Sequence, residues 1–253
     1  MHAPRRKYDR ELTMLAAAAV RVADRGHVTS HGGNLSWRVD DDAVLITPTG
    51  MPKGELTTDD VVIVDMQGAV LYAAPGRRPT GETPLHLQLL HCRPDLRALV
   101  HAHPPALTGL AMARSDVLTR PYLPEPAIEI GPVVSIPYIE PVSDELGEAF
   151  AQAADEANAF LMYNHGVTVG SHVSVTRAVE LLEMLEACAL SLRTAVSFGG
   201  AHALTDGDVR RLDGVRSRRG LPLPGKPGRF RDLCEAFDAA AKATGAQDGH
   251  AAA

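Results

Sequence analysis

Apolar residues recur along the chain at two spacings, one typical of helices and one typical of strands. Helical spacing predicts helices over residues 9–24, 82–92, 104–112, 143–157 and 174–197. Short apolar runs predict strands over residues 35–39, 44–47, 61–65, 69–72, 98–103, 133–136, 159–162 and 167–170. Because hairpins are mixed with helices, the pattern indicates a three-layer α/β/α sandwich with a central mixed, largely antiparallel sheet.

The composition of the chain changes after residue 200. Arginine, glycine and proline are frequent over residues 210–227, and we predict an irregular segment there. A short helix is expected over residues 230–241, and the alanine-rich residues 242–253 are expected to be disordered. We therefore predict a main domain over residues 1–200 and a C-terminal extension of the same domain over 201–253.

Composition and charge narrow the class of protein. The chain has 253 residues, of which 45% are hydrophobic and 22% charged, with a formal net charge of −6. The acidic balance argues against a nucleic-acid-binding protein. No stretch approaches the roughly 20 apolar residues that span a bilayer, and the start lacks the apolar core of a signal peptide. The 3 cysteines have no paired spacing, so we expect free thiols in a reducing, cytoplasmic setting. We also expect no membrane partner.

Two histidines end the strand predicted at residues 98–103. Two residues apart on a strand, His101 and His103 would project from the same face. On a helix their rings would point about 200° apart. Side-by-side imidazoles are a pair of nitrogen ligands for a divalent metal, and His165, at a strand-to-turn junction, could complete the set. Surface histidines on strands show the same spacing, so spacing alone leaves this metal site open.

Three loops combine hydroxyl side chains with glycine, at residues 30–36, 47–51 and 79–84. Backbone N–H groups in such loops bind anions, so their convergence would form a phosphate pocket, although the first loop could equally be an ordinary hairpin turn. None has the glycine-lysine-hydroxyl ending of a nucleotide-binding P-loop. Glu82 follows the third loop and is the candidate general base. The alternative is that Glu82 is a first-turn residue stabilised by the helix dipole.

Five motifs in a fixed order give the chain a specific resemblance. They are Gly-Gly-Asn-Leu-Ser at 32–36, Ile-Thr-Pro-Thr-Gly at 46–50, Arg-Pro-Thr-Gly-Glu at 78–82, Val-His-Ala-His at 100–103 and Asn-His-Gly at 164–166. Together they resemble the class II aldolase/adducin family, typified by L-fuculose-phosphate aldolase. The resemblance spans residues 10 to about 200 and implies that the main domain is catalytic.

The resemblance implies a set of site residues and a metal. The metal would be one divalent ion per chain held by His101, His103 and His165, usually Zn²⁺, with Mn²⁺, Co²⁺ and Fe²⁺ as alternatives. Glu82 would be the acid/base, and Tyr122 would protonate the leaving aldehyde from a neighbouring subunit. The substrate phosphate would be bound by Gly33, Asn34, Thr49, Gly50, Thr80 and Gly81. Because the family usually forms tetramers with sites between subunits, a homotetramer is expected.

The reaction implied by the resemblance is carbon–carbon bond cleavage through an enediolate that the metal stabilises. We expect an aldolase that cleaves a short ketose 1-phosphate, such as a 5-deoxy- or methylthio-ribulose 1-phosphate, to dihydroxyacetone phosphate and an aldehyde. Gly81 stands where serine is common, and no tyrosine follows Tyr163, which argues against fuculose phosphate. A decarboxylase of a hydroxy or keto acid and a sugar-phosphate dehydratase remain alternatives. A structural module without metal is disfavoured because the histidines and Glu82 are all present.

The remaining histidines have simpler explanations. His86 and His91 lie on the helix after Glu82 and are expected to be packing or surface residues. His31 lies in the first glycine loop and could line the pocket. His172 is expected at the start of a helix.

Overall fold

A computed structural model describes residues 6–247 of the chain. The strands are β1 (Asn34–Asp40), β2 (Ala43–Ile46), β3 (Val62–Val64), β4 (Val70–Tyr72), β5 (Ala98–Ala102), β6 (Val133–Ile136), β7 (Ala159–Met162) and β8 (Gly166–Ser171). The helices are α1 (Asp9–Asp24), α2 (Thr83–Cys92), α3 (Pro105–Met112), α4 (Pro124–Glu129), α5 (Asp144–Ala153), α6 (Val175–Val196), α7 (Asp206–Arg218) and α8 (Leu233–Gln247). Short 3₁₀ turns occur at Lys53–Glu55 and Val117–Thr119.

The strands form a mixed sheet in which antiparallel pairs predominate. Strand β1 pairs antiparallel with β2 and with β5, β2 with β3, and β3 with β4. Strands β6 and β7 are parallel. The predicted α/β sandwich with a mixed, largely antiparallel sheet is therefore confirmed.

The chain divides into two compact units. Unit 1 contains the residues up to 104 together with 139–151 and 168–180, and unit 2 contains 105–138, 152–167 and the residues from 181 onward, within the described range. The strand order is β4-β3-β2-β1-β5-β8 in unit 1 and β8-β7-β6 in unit 2, so β8 contributes residues to both. The predicted domain boundary at residue 200 stays a prediction.

Unit 1 holds strand β5 in a rigid setting. Every residue of β5 is buried, and β5 pairs with β1 in a register that places Asn34 opposite His101. Helix α1 contributes an apolar face to this unit and ends before Gly26, whose φ of +71° is the left-handed conformation expected after a helix. The end of β5, where the histidines lie, is therefore fixed by pairing on the β1 side.

Helix α7 corrects the predicted irregular segment at residues 210–218, whereas residues 219–227 contain no helix or strand, as predicted. Thr205 caps the helix, because its side chain accepts from the N–H of Asp208 while the Asp208 side chain accepts from the N–H of Thr205. Ion pairs within the helix join Arg211 to Asp208 and Arg216 to Asp213. Its one buried residue, Val209, belongs to a core cluster of unit 2 with Ala127, Ile128, Leu233 and Phe237. Because the helix has a single buried position, its apolar residues show almost no helical periodicity. Hydrophobic patterning therefore did not predict this helix.

Three further boundaries differ from the predictions. Helix α4 forms within the proline-rich segment, because Pro124 occupies its first position, where a missing N–H costs nothing. Helix α5 ends at Ala153 rather than at residue 157. Helix α8 continues to Gln247, past the predicted helix end at residue 241, and residues 248–253 lie outside the described residues. The expected disorder of the last residues stays a prediction.

Two expectations from composition can be compared with the fold. Cys92, Cys188 and Cys234 are all free, as expected from their spacing. Within residues 6–247, no helix combines the length and the apolar character needed to cross a membrane.

Candidate active site

His101 and His103 meet at the end of β5. His101 is fully buried in the strand, and His103 follows it, half-buried. The Nε2 atoms of the two rings lie 3.0 Å apart, and the ring centroids lie 4.9 Å apart. Two lone pairs repel each other at this distance, so the two nitrogens share either a proton or a cation. The two-residue spacing on a strand therefore brings the nitrogens together as predicted.

Thr168 on β8 fixes the orientation of the His101 ring. Its buried hydroxyl lies 3.3 Å from Nδ1 of His101. A hydroxyl that accepts from Nδ1–H leaves Nε2 unprotonated, in the state that can bind a metal, which is the usual role of a residue behind a metal-ligating histidine. The sequence analysis missed Thr168, because its contact depends on β8 lying beside β5.

The glycine loop at residues 32–33 packs directly against the histidine pair. A Cβ atom on Gly32 would lie 3.2 Å from Nδ1 of His103. A Cβ atom on Gly33 would lie 2.7 Å from the carbonyl oxygen of His101, and the φ of Gly33 is +65°. Larger residues would therefore displace the end of β5. The loop shapes the histidine site in addition to its predicted role in anion binding.

His165 directly precedes β8 in the chain. One ligand atom from each of His101, His103 and His165 lies within 4.8 Å of the others, so the three could hold a metal ion. Nitrogen ligands of a tetrahedral Zn²⁺ lie about 3.3 Å apart, given Zn–N distances of about 2.0–2.1 Å. The 3.0 Å separation between His101 and His103 fits that geometry. Three imidazoles suit Zn²⁺, and Mn²⁺, Co²⁺ and Fe²⁺ accept the same ligands.

Glu82 faces the same ring nitrogen of His101. The residue occupies the N-cap position of α2 without a side-chain capping hydrogen bond and is 7% exposed. Its Oε2 atom lies 3.5 Å from Nε2 of His101 and accepts a hydrogen bond from Nδ2 of Asn34 at 2.6 Å. A carboxylate at this position can reach a substrate bound beside the histidines, so the geometry meets the condition that a general base requires.

A buried row of hydrogen bonds continues from Asn34 to Ser36 by way of His86. The Oδ1 atom of Asn34 is hydrogen-bonded to Nε2 of His86, and Nδ1 of His86 lies 2.7 Å from the Ser36 hydroxyl. His86 and Ser36 are fully buried. Burial lowers the pKa of His86 to about 4, so its ring is neutral near pH 7. His86 is thus more than the packing residue that was expected. Its four-residue spacing from Glu82, at the start of α2, was the available signal.

The three predicted phosphate loops are joined to one another in unit 1. The Leu35 N–H donates to the Thr47 hydroxyl at 3.1 Å, and the Thr80 N–H donates to the Thr47 carbonyl at 3.1 Å. Thr49 and Gly50 are exposed, whereas Thr80 is buried. The three loops are therefore neighbours in the fold, and the phosphate pocket that they were expected to form stays a prediction.

Gly81 lies under a side chain from the segment that precedes α5. A Cβ atom on Gly81 would lie 2.8 Å from Cγ1 of Val142. Val142 itself has a φ of +68°, which is rare for a β-branched residue. The Val142 side chain therefore borders the space that a serine at position 81 would use, and the backbone N–H is the donor that Gly81 can offer.

Lys53 is a buried residue that contacts two of the predicted phosphate loops and was not among the predicted site residues. Its side chain is 1% exposed, and its Nζ atom donates to the carbonyl oxygens of His31 at 3.1 Å and Met51 at 3.0 Å. Burial lowers the pKa of Lys53 to about 8. The ammonium group therefore joins the first two predicted phosphate loops from beneath. The local sequence, a lysine after Met51-Pro52, gave no sign of burial.

Tyr122 lies in unit 2, just before α4. It is half-buried and lines a cavity of about 460 Å³ together with Ala106, Leu110, Ala189 and Leu192. Burial raises the pKa of its phenol, which keeps the hydroxyl protonated. Its action in a neighbouring subunit stays a prediction.

Comparison with known proteins gives consistent matches. Residues 13–191 match the family described as the class II aldolase and adducin N-terminal domain. The chain is 35% identical over 149 residues to 3-oxo-tetronate 4-phosphate decarboxylase of Haemophilus influenzae, covering 58% of this chain and 70% of that protein. It is 31% identical over 177 residues to L-fuculose phosphate aldolase of Methanococcus maripaludis, covering 70% of this chain and 92% of that protein. The crystal structure of YgbL from Klebsiella pneumoniae matches with a TM-score of 0.75 at 29% identity. The match covers 81% of this chain and 98% of the YgbL chain.

Proposed function

The chain belongs to the class II aldolase and adducin family, and from that premise we propose that it is a metal-dependent carbon–carbon lyase for a short sugar phosphate. The observation that carries the proposal is the position of Glu82, whose Oε2 atom lies 3.5 Å from Nε2 of His101. This distance supports the proposal because a carboxylate lies beside a nitrogen suited to bind a metal. Among the possible lyase reactions, we favour decarboxylation of a 3-oxo-tetronate 4-phosphate, because the relative at 35% identity is named for it.

The favoured reaction breaks the bond between C1 and C2 of the four-carbon acid. Carbon dioxide leaves, and the electron pair remains on C2, spread onto the neighbouring ketone oxygen as an enediolate. A proton added to C2 then gives dihydroxyacetone phosphate, so one proton from solvent is consumed for each turnover. Glu82 is the group proposed to take that proton from solvent and deliver it to C2. A divalent metal, when bound, supplies Lewis-acid polarisation of the ketone oxygen.

The other residues of the site would bind and orient the substrate. We propose that the metal is Zn²⁺ and that its ligands are His101, His103 and His165. The phosphate would be bound by Gly33, Asn34, Thr49, Gly50, Thr80 and Gly81. The Asn34 amide has two hydrogens, and only one is needed for Glu82, so the second can reach a phosphate oxygen. We also propose the expected homotetramer and cytoplasmic location.

Aldol cleavage of a ketose 1-phosphate is the second candidate, and Tyr122 favours it. Aldol cleavage forms the same enediolate, but an aldehyde leaves in place of carbon dioxide. The reaction then needs a group that exchanges a proton with the aldehyde oxygen. A phenol is protonated near pH 7 even at its ordinary pKa, and burial shifts the pKa of Tyr122 further upward, so Tyr122 suits that role in the direction of condensation.

Product analysis separates the two candidates. The metal-loaded protein is incubated with 3-oxo-tetronate 4-phosphate and, separately, with ketose 1-phosphates. We expect carbon dioxide and dihydroxyacetone phosphate in equal amounts from the acid. Aldehyde release from a ketose 1-phosphate, with no carbon dioxide from the acid, would assign the aldolase instead. Turnover of none of these substrates would overturn the proposed lyase.

A further inference from the structure

A row of four buried residues in unit 1 leads from the interior to the proposed base. Ser36, His86, Asn34 and Glu82 are joined in that order by hydrogen bonds, and none is more than 7% exposed. We propose that His86 is a positioning residue, which holds the Asn34 amide so that its NH₂ group faces Glu82. The inference rests on the proposed function, because it assumes that Glu82 exchanges a proton with the substrate.

The direction of every hydrogen bond in the row follows from the groups themselves. An ionised carboxylate only accepts, so the Asn34 atom 2.6 Å from Glu82 is the amide nitrogen. The Asn34 oxygen therefore faces His86 and accepts from Nε2–H. A neutral imidazole carries one hydrogen, so Nδ1 must accept, and the Ser36 hydroxyl at 2.7 Å is its donor.

Without His86, Glu82 alone would distinguish the two orientations of the Asn34 amide. A half-turn of the amide would place its oxygen 2.6 Å from the Glu82 carboxylate, where the two acceptors repel each other. The Nε2–H of His86 opposes that half-turn because it needs an acceptor on its own side. The Ser36 hydroxyl in turn keeps the hydrogen of His86 on Nε2. The hydrogen bonds from Ser36 to His86 and from His86 to Asn34 therefore fix the orientation of the amide that faces Glu82.

The neutral state of His86 is consistent with its surroundings. The ring is fully buried, and burial lowers its pKa to about 4. His86 therefore acts by its fixed hydrogen, and its protonation does not change near pH 7. Loss of His86 should therefore alter the catalytic rate, through Glu82, and phosphate binding, through Asn34, while the metal content stays nearly unchanged.

The first test reads the tautomer of His86 without any need for activity. The full-length, metal-loaded protein is labelled with ¹⁵N-histidine, and His86→Gln identifies the His86 signals in the NMR spectrum. We expect a neutral ring with hydrogen on Nε2, and a mixture of tautomers in Ser36→Ala. Hydrogen on Nδ1 in the wild type would overturn the inference, whatever the substrate of the enzyme is.

The second test measures kcat, KM and metal content of variants on α2. We expect His86→Leu to lower kcat about 10–100-fold, as removal of residues behind a catalytic centre does, and to leave the metal content nearly unchanged. KM should rise as well, because a turned Asn34 amide would no longer donate to the phosphate. His86→Gln restores an N–H donor toward Asn34 and should recover much of the loss. His91→Gln, at an exposed position of the same helix, is the matched control.

Equal losses in His86→Leu and His86→Gln would assign a merely structural role and contradict the inference. The same holds if kcat of His86→Leu is that of the wild type. If His86→Leu does not fold, the kcat of His86→Gln relative to the wild type and the tautomer in Ser36→Ala decide the question. Absence of turnover in the wild type would reject the proposed function, while the tautomer would still test the geometry of the row.

Discussion

Lys53 carries a charge that the fold almost completely removes from water. Its side chain is 1% exposed, and burial alone lowers its pKa to about 8. In return, its ammonium group satisfies the carbonyl oxygens of His31 and Met51 on the first two predicted phosphate loops. Burying a charge destabilises the fold unless hydrogen bonds compensate, so this residue has a measurable dependence on pH.

We expect the stability difference between the wild type and Lys53→Met to change with pH. The pKa of Lys53 is about 8 in the folded state, below its ordinary value of 10.5, so between these values the unfolded chain binds the additional proton. The free energy of unfolding of the wild type should therefore rise relative to that of the variant as the pH rises through this interval. Urea unfolding of both proteins measures the difference, and a difference that is constant from pH 8 to 10.5 would contradict the account.

At the residue scale, local spacing could predict some site residues and not others. His101 and His103 were predictable because a strand places residues two apart on one face. His86 acquires its role from Asn34 and Ser36, which lie 52 and 50 positions away in the chain. Only the packing of β1 against α2 brings these side chains together, and no local pattern encodes that contact.

At the scale of elements, the glycine loop and β5 depend on each other. Gly33 combines a φ of +65° with a close approach to the carbonyl oxygen of His101. Gly50 has a similar φ of +68°, but nothing lies within 4 Å of its added Cβ atom. The two positions therefore separate the effect of backbone strain from the effect of a collision.

Gly33→Ala should destabilise the protein more than Gly50→Ala does. Strain in the left-handed region costs about 1–2 kcal/mol at either position, and overpacking adds about 1–3 kcal/mol at Gly33 alone. Because the collision is with the end of β5, Gly33→Ala should also bind less metal. Urea unfolding and metal analysis of both variants check this, and equal stability with full metal content in both would refute it.

Elements were predictable where an apolar pattern was strong. The run at β7 is continuous and apolar, the run at β6 is apolar except for Ser135, and the predicted bounds of both agree with the structure. Helix α7 was not predicted because a single buried valine produces no helical periodicity of apolar residues. Its capping box was also hard to recognise, because it uses Asp208 where glutamate or glutamine is the usual residue. Capping and ion pairs stabilise this helix through short-range contacts that hydrophobic patterning does not measure.

At the scale of the whole molecule, a metal bound only by the folded chain should raise its stability. A ligand present at 100 times its dissociation constant adds about 2.7 kcal/mol to the free energy of unfolding. The proposed ligands become a site only when β5 and the start of β8 are folded. Metal removal therefore tests whether the histidines act as one site in the folded protein.

We expect about one divalent ion per chain in protein purified without added metal, and a lower melting temperature after chelation. His101→Ala, His103→Ala and His165→Ala should each lose the metal and the response to chelation. His91→Ala, which alters an exposed histidine, should keep both. Full metal occupancy in any of the three ligand variants would remove that residue from the proposed site.

The assignment of Glu82 as the base is tested most directly by hydrogen exchange into dihydroxyacetone phosphate in D₂O. The exchange is measured with the metal-loaded wild type and with Glu82→Gln. Both candidate lyase reactions pass through the enediolate of this compound, so exchange at its hydroxymethyl carbon does not depend on which one is correct. With metal content equal in the two proteins, we expect the exchange rate to fall by about 10²–10⁴-fold in Glu82→Gln, because a positioned base contributes that much. An exchange rate in Glu82→Gln equal to that of the wild type would contradict the assignment of Glu82 as the base of this site.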